Sequence, residues 1–248
     1  MTHAIGIDIG GTGIKGALVD LDSGELVSER VKRPTPEGGL PADVVATVAE
    51  IADELGAERL DAVGICFPAI VLGGRTMSAA NVSDEWIGLD ADSLFASALG
   101  REIHFVNDAD AAGYAEARYG AAAGQRGLTI VTTLGTGIGS AFIHDGVLIP
   151  NTELGHLELD GADVETWAAN SVRERDELSF EVWAERLQRF YAHVEFLFSP
   201  ELFVVGGGVS KYHEQFLPLL TLRTPIVPAT LRNNAGLMGA AALAHRDG

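Results

Sequence analysis

The chain has 248 residues, 47% hydrophobic and 21% charged, with 17 Lys and Arg against 35 Asp and Glu for a net charge of −18, and a single cysteine. This is the composition of a folded chain with room for one large or two modest domains. One cysteine excludes an internal disulfide framework and any multi-cysteine zinc or iron–sulfur centre, and no apolar run reaches the roughly 20 residues of a membrane helix. The acid excess opposes nucleic acid and anionic membrane, so neither is an expected partner, and a polyanionic substrate would need a local basic patch and divalent cations.

Ala4–Ile9 alternates and is rich in Ile, which reads as a strand. No signal peptide stands before it, so a reduced, cytoplasmic protein is expected. A glycine turn follows, then a strand over Gly16–Leu21, a turn at Asp22–Gly24 and a third strand over Glu25–Val31, together an antiparallel meander. Lys32–Pro41 holds three prolines and two glycines and reads as a loop. Val44, Val45, Val48, Ile51 and Leu55 then follow helical spacing over Asp43–Leu55, with Gly56 placed to end the helix. Ala62–Phe67 is a buried-type strand stopped by Pro68. A short helix at Asp92–Leu99, a strand at Glu102–Val106 and a helix over Asp108–Tyr119 stopped by Gly120 complete the first half.

The pattern then begins again. Leu128–Thr133 is a strand, Gly135–Gly139 a glycine turn, Ser140–His144 a second strand, Asp145-Gly146 a turn and Val147–Ile149 a third strand. Gly11-Thr-Gly13-Ile14 superimposes on Gly135-Thr-Gly137-Ile138, so Gly13 and Gly137 stand 124 residues apart in a chain of 248. Matching meanders half a chain apart point to a duplicated lobe. A helix over Ser179–Phe198 follows, with Val182, Trp183, Leu187, Phe190 and Val194 on one face; then come the strand Leu202–Val205, Gly206-Gly-Gly208 and an Ala-rich closing helix over Gly236–Ala244. The face bearing Trp183 and Phe190 is either plain core or a surface for a second copy.

Gly11-x-Gly13-x-x-Gly16 satisfies the dinucleotide-binding fingerprint literally, but that motif has meaning only where the glycines open a helix. Here a hydrophobic strand follows, which argues against a Rossmann oxidoreductase, and the chain has no P-loop. A glycine turn between strands can still present backbone N–H groups to phosphate. Thr12 and Thr136 add hydroxyls, Lys15 adds a charge, and Asp8 is placed to hold a hydrated Mg²⁺. The alternative is that these glycines merely supply positive φ. Two matching turns together with Gly207 and Gly208 favour phosphate binding through Gly10, Gly11, Thr12, Gly13 and Lys15 on one side and Gly135, Thr136 and Gly137 on the other.

Asp8-Ile-Gly-Gly-Thr12 with Lys15, Asn107-Asp108, Leu134–Gly139 and Glu153-Leu-Gly-His156 together resemble the ROK family of sugar kinases, in the right order from Ile5 to about Ala242. The resemblance implies an α/β, two-lobed actin/hexokinase-like fold built of duplicated ribonuclease H-like halves, with sugar and phosphoryl donor in an interlobe cleft. It implies lobes at 1–108 and 109–233, with a helix of about 234–248 returning to the first. Within the family, Asp8–Ala17 and Leu202–Lys211 look most like the actinobacterial members that use polyphosphate to phosphorylate glucose.

A sugar hydroxyl needs a carboxylate to accept its proton. The resemblance gives that role to Asp108, which on local pattern alone also reads as a helix N-cap. It places Asn81, Asn107, Asp108, Glu153, His156 and Glu165 on the sugar, and makes glucose, Mg²⁺ and polyphosphate or ATP the substrates and cofactor and a homodimer the assembly. Many ROK proteins carry a Cys-rich zinc loop after the matching His; this chain has Leu157–Val164 there, so zinc is not expected and His156 must be held by hydrogen bonds and packing. Lys15, Lys32, Arg33, Arg173, Arg175, Lys211 and Arg232 either track a phosphate chain or are scattered surface charges. A kinase restricted to ATP and a non-catalytic sugar-sensing regulator are the alternatives, the second lacking room for a helix-turn-helix ahead of Ala4.

Overall fold

The computed structural model describes residues 2–57 and 62–245. Two compact units divide it: Met1–Ala115 with Asn234–Gly248, and Glu116–Asn233. In the first unit the strands β1 (His3–Ile9), β2 (Gly13–Asp20), β3 (Val31–Pro34), β4 (Val63–Phe67) and β7 (His104–Asn107) form a sheet of order β3-β2-β1-β4-β7, and β5 (Val71–Leu72) and β6 (Arg75–Thr76) make a small hairpin beside it. In the second unit β8 (Leu128–Leu134), β9 (Ile138–His144), β10 (Val147–Ile149), β13 (Leu202–Gly206) and β14 (Ile226–Pro228) form a sheet of order β10-β9-β8-β13-β14. The two orders correspond strand for strand, with an antiparallel meander followed by parallel partners in each. This is the duplication that the matching glycine turns forecast.

The halves differ by one residue at the turn. Ile9 pairs with Ile14 across four residues, Leu134 with Ile138 across three. The third strand differs as well. In the second half Asp145 (φ 49) and Gly146 (φ 81) form a two-residue turn of the kind that keeps hairpin strands paired, and β10 follows at once. In the first half the expected strand over Glu25–Val31 is reduced to a bridge between Leu26 and Val19. The Ser28 hydroxyl accepts the Leu18 N–H at 3.0 Å, taking the place of a backbone carbonyl. Pairing resumes at Val31, the last residue of that expected strand, and runs on to Pro34 within the stretch read as a loop. Pro34 is tolerated there because β3 is an edge strand.

Helices cover the sheets by their apolar faces. α1 (Pro41–Glu54) begins with proline in its first turn and buries Val44, Val45, Val48 and Ile51. α2 (Ala91–Leu99) is capped by Asp90, whose side chain accepts the Ser93 N–H, and stops at Gly100 in the left-handed region. Phe95 of α2 stacks on Trp86, which meets Phe67 of β4. α3 is Asp108–Tyr119, and the closing helix α7 is Ala235–Ala244. Gly6 and Gly64 are register partners on β1 and β4, and a Cβ on either would strike the α7 backbone at Leu237 or Ala240. Bare glycines therefore let α7 lie directly on the sheet.

In the second unit β11 (Glu158–Leu159) and β12 (Ala162–Asp163) form a short hairpin, followed by α4 (Glu165–Ala168) and α5 (Asn170–Arg175). α6 (Phe180–Phe198) buries Trp183, Leu187, Phe190, Tyr191 and Val194, all at 0% exposure. Trp183 donates its indole N–H to the Ala168 carbonyl at 2.9 Å, and the Tyr191 hydroxyl meets Thr132 Oγ1 at 2.6 Å. The Trp183–Phe190 face is thus core and offers no surface to a second copy; the large apolar residues that α6 exposes are Phe196, Leu197, Phe198 and Val182, the last of them expected on the buried face. Among the described residues no helix is long and apolar enough to cross a membrane.

Candidate active site

The parallel strands of the first unit bring its polar residues to one sheet edge. Asp8 on β1 is the register partner of Cys66 on β4, and Cys66 of Val106 on β7. Asp8, Cys66 and the Asn107-Asp108 pair therefore share the C-terminal ends of three neighbouring strands, where open α/β sheets hold ligands. Asp8 also faces Lys15 across the β1–β2 hairpin, and its Oδ2 meets Lys15 Nζ at 2.8 Å. Cys66 is fully buried; burial, and then the Asp8 and Asp108 carboxylates, push its pKa well up, so the thiol stays protonated.

Asn107 settles which residue caps α3. Its Oδ1 accepts the Asp110 N–H at 3.0 Å and its Nδ2 donates to the Ala69 carbonyl at 2.9 Å. The bond three residues ahead is the capping bond. Asp108, half-buried, is the first helical residue, with Oδ1 2.8 Å from the Ala109 nitrogen. The cap is therefore its neighbour's work, and Asp108 sits in the first turn, at the positive end of the helix dipole.

The first glycine turn is tied back through its carbonyls. Gly10 N–H donates to Gly13 O at 3.0 Å, Thr35 N–H to Thr12 O at 3.4 Å, and Thr35 Oγ1 to Gly10 O at 2.5 Å. Those oxygens are thus engaged, Thr12 at the tip is exposed, and glycine turns of this type can present backbone N–H groups to phosphate oxygens. A Cβ at Gly11 would lie 2.7 Å from the Cβ of Asn81, so Asn81, exposed and at φ 60, stands against the same turn.

The second unit repeats the device. Gly135 N–H donates to Gly137 O at 3.0 Å, Ser171 N–H to Gly135 O at 3.0 Å, and Ser171 Oγ to Thr136 O at 2.5 Å. Gly207, at φ 83, packs its bare Cα against the Leu134 backbone, so the Gly206–Gly208 turn abuts the Gly135–Gly137 turn. Glu165 links this turn to the loop carrying Glu153 and His156: its Oε2 accepts the Ile138 N–H at 3.1 Å, and a Cβ at Gly155 would lie 2.9 Å from that same oxygen. Buried Ser140 holds the loop, donating to Thr152 O at 2.6 Å and accepting from Leu154 N at 3.0 Å. His156 Nδ1 lies 3.0 Å from Asp163 Oδ2 and 4.0 Å from Glu165 Oε1. The hydrogen bond to Asp163 is the main cause raising the His156 pKa, while burial raises that of Glu153.

The ROK family model matches residues 4–171. The chain belongs to the ROK family. It is 46% identical over 240 residues to the polyphosphate glucokinase of Mycobacterium tuberculosis, covering 96% of this chain and 90% of that one. The crystal structure of an inorganic polyphosphate/ATP-glucomannokinase from Arthrobacter sp. strain KM is 56% identical, covers 97% of each chain and superimposes with a TM-score of 0.91. A ROK hexokinase from Thermus thermophilus matches at 27% identity over 98% of each chain, with a TM-score of 0.81. The fold is accordingly the actin/hexokinase-like α/β fold of ROK sugar kinases.

On this ROK fold the first unit gathers Asp8, Gly10–Gly13, Lys15, Asn81 and Asn107-Asp108, and the second gathers Gly135–Gly137, Glu153, His156, Glu165, Gly207 and Gly208. Sequence reading missed Thr35, Ser140, Asp163 and Ser171, which hold these groups in place. Nothing marks them locally, because each acts through a side-chain hydrogen bond that only the folded chain forms. Ser171→Ala is expected to raise the KM for the phosphoryl donor roughly three- to tenfold, the worth of one hydrogen bond. The KM for sugar should stay unchanged and Ser171→Thr should behave as wild type; steady-state kinetics with each substrate varied checks this.

Proposed function

We propose that this chain transfers the terminal phosphoryl group of inorganic polyphosphate, or of ATP, to the 6-hydroxyl of glucose, giving glucose 6-phosphate. The observation that carries the reading is the twin glycine turns, each with its carbonyls tied back by one hydroxyl residue, on a ROK chain 46% identical to a mycobacterial polyphosphate glucokinase and 56% identical to a polyphosphate/ATP-glucomannokinase. Asp108 accepts the proton of the attacking hydroxyl. Glu153, His156 and Glu165 bind sugar hydroxyls, joined by Asn81 and by the second amide hydrogen of Asn107. The turns Gly10–Gly13 and Gly135–Gly137, with Gly207, Gly208 and Lys15, hold phosphate oxygens.

Asp8 is the residue suited to Mg²⁺. It is a single, largely buried carboxylate next to a glycine turn, which fits an ion held by one or two carboxylates, waters and the donor's own phosphates, with the Lys15 ammonium, now 2.8 Å from Oδ2, moving to the phosphates. When bound, such an ion neutralises charge on the donor. A homodimer in the cytoplasm belongs to the same proposal, the one buried cysteine being suited to a reducing compartment.

The donor assignment comes from the relatives and not from a basic track. Beyond Lys15, the residues Arg33, Arg173 and Arg175 are already ion-paired with Glu54, Glu174 and Asp176. A coupled assay for glucose 6-phosphate, run with polyphosphate and then with ATP, tests it. Product with polyphosphate is expected. Product with ATP alone would leave an ATP-dependent hexose kinase, and product with neither would overturn the enzyme reading in favour of a sugar-binding regulator.

A further inference from the structure

We propose that Asp163 is a positioning residue for sugar binding: by holding Nδ1 of His156 it commits the opposite ring nitrogen, Nε2, to a sugar hydroxyl. The inference rests on the reading of His156 as a sugar ligand. His156 closes a short 3-10 turn whose N–H returns to Glu153 O at 3.1 Å, so its backbone is set by the loop. Its ring is set separately. Residues 157–164 fold back as the β11–β12 hairpin, in which Asp163 is the register partner of Glu158. The Asp163 carbonyl is fixed by the Thr166 hydroxyl at 2.6 Å, and its carboxylate oxygen stands 3.0 Å from Nδ1.

A carboxylate only accepts, so this bond places a proton on Nδ1, and the ring's chemistry toward any ligand passes to Nε2. Without Asp163, Glu165 is the nearest competing acceptor, 4.0 Å from the same nitrogen. Glu165 is itself occupied with the Ile138 N–H of the phosphate turn. Asp163 therefore keeps the sugar-binding ring from being drawn to the residue that braces the donor side. The charged groups facing the ring are Glu153 from the preceding loop, Asp163 from β12 and Glu165 from α4. All are acidic, so they favour the protonated ring, and Asp163 is the one in direct contact.

The experiment measures kcat, the KM for glucose and the KM for donor across pH for Asp163→Ala, Asp163→Asn and His156→Ala. His156→Ala and Asp163→Ala should each raise the KM for glucose roughly tenfold, the worth of one charge-assisted hydrogen bond, with the KM for donor and the melting temperature little changed. Asp163→Asn keeps an acceptor oxygen but loses the charge. It should bind glucose nearly as wild type, while the pH at which the KM for glucose changes moves downward. A His156→Ala variant with normal glucose KM would overturn the role of His156 itself. With that role intact, the inference is overturned if Asp163→Ala leaves the glucose KM unchanged, if it shifts both KM values and stability alike, or if the pH transition in Asp163→Asn does not move.

Discussion

Asp108→Asn is expected to lower kcat by roughly 10²- to 10⁴-fold, the usual worth of a general base, while leaving the affinity for glucose close to wild type. The substitution keeps the shape of the side chain and its place as the first residue of α3. It does not disturb the helix cap, because Asn107 makes the capping bond to the Asp110 N–H at 3.0 Å. What it removes is the capacity to take a proton from the attacking hydroxyl. Phosphoryl transfer otherwise depends on alignment and charge neutralisation, and the glycine turns, Lys15 and Asp8 proposed to supply these are untouched. Glucose binding by calorimetry and turnover by the coupled assay separate the two effects. Near-normal turnover would remove Asp108 from the chemistry.

The second large effect concerns stability. Glu116→Ala is expected to destabilise the protein by about 2–4 kcal/mol, the range for breaking a buried hydrogen-bond network. Glu116 lies on α3 and is 1% exposed. Its Oε2 accepts the Ala121 N–H at 2.8 Å and both the N–H and hydroxyl of Thr230 at 3.2 Å, and its Oε1 accepts the Leu231 N–H at 2.8 Å. One carboxylate thus joins the end of α3 to the segment that leads toward α7. Alanine would leave those donors without their acceptor. For a chain of this size the melting temperature should fall by roughly 5–15 °C. Glu116→Gln should cost less than alanine, since it keeps one oxygen while turning an amide N–H toward some of the donors. A fall of under 2 °C in Glu116→Ala would show that water replaces the carboxylate without loss.

Local pattern in the chain was enough to forecast most strands and helices, the closing helix and the duplication, because burial imposes a period of two on strands and 3.6 on helices and because glycine marks turns. It also singled out the glycine turns, Asp8, Asp108, Glu153 and His156, whose neighbours along the chain already set them at strand ends or in polar loops. What only the tertiary structure decided was how those groups are held and oriented. Asn107, not Asp108, caps α3; Ser28 interrupts the expected third strand; Thr35, Ser171, Asp163 and Glu116 brace turns, ring and loop from 25, 35, 7 and 114 residues away. These are side-chain bonds, those of Thr35, Ser171 and Glu116 reaching backbone groups far along the chain. They leave no periodic trace in the sequence, and those of Thr35, Ser171 and Glu116 exist only once folding has brought distant segments within hydrogen-bond reach.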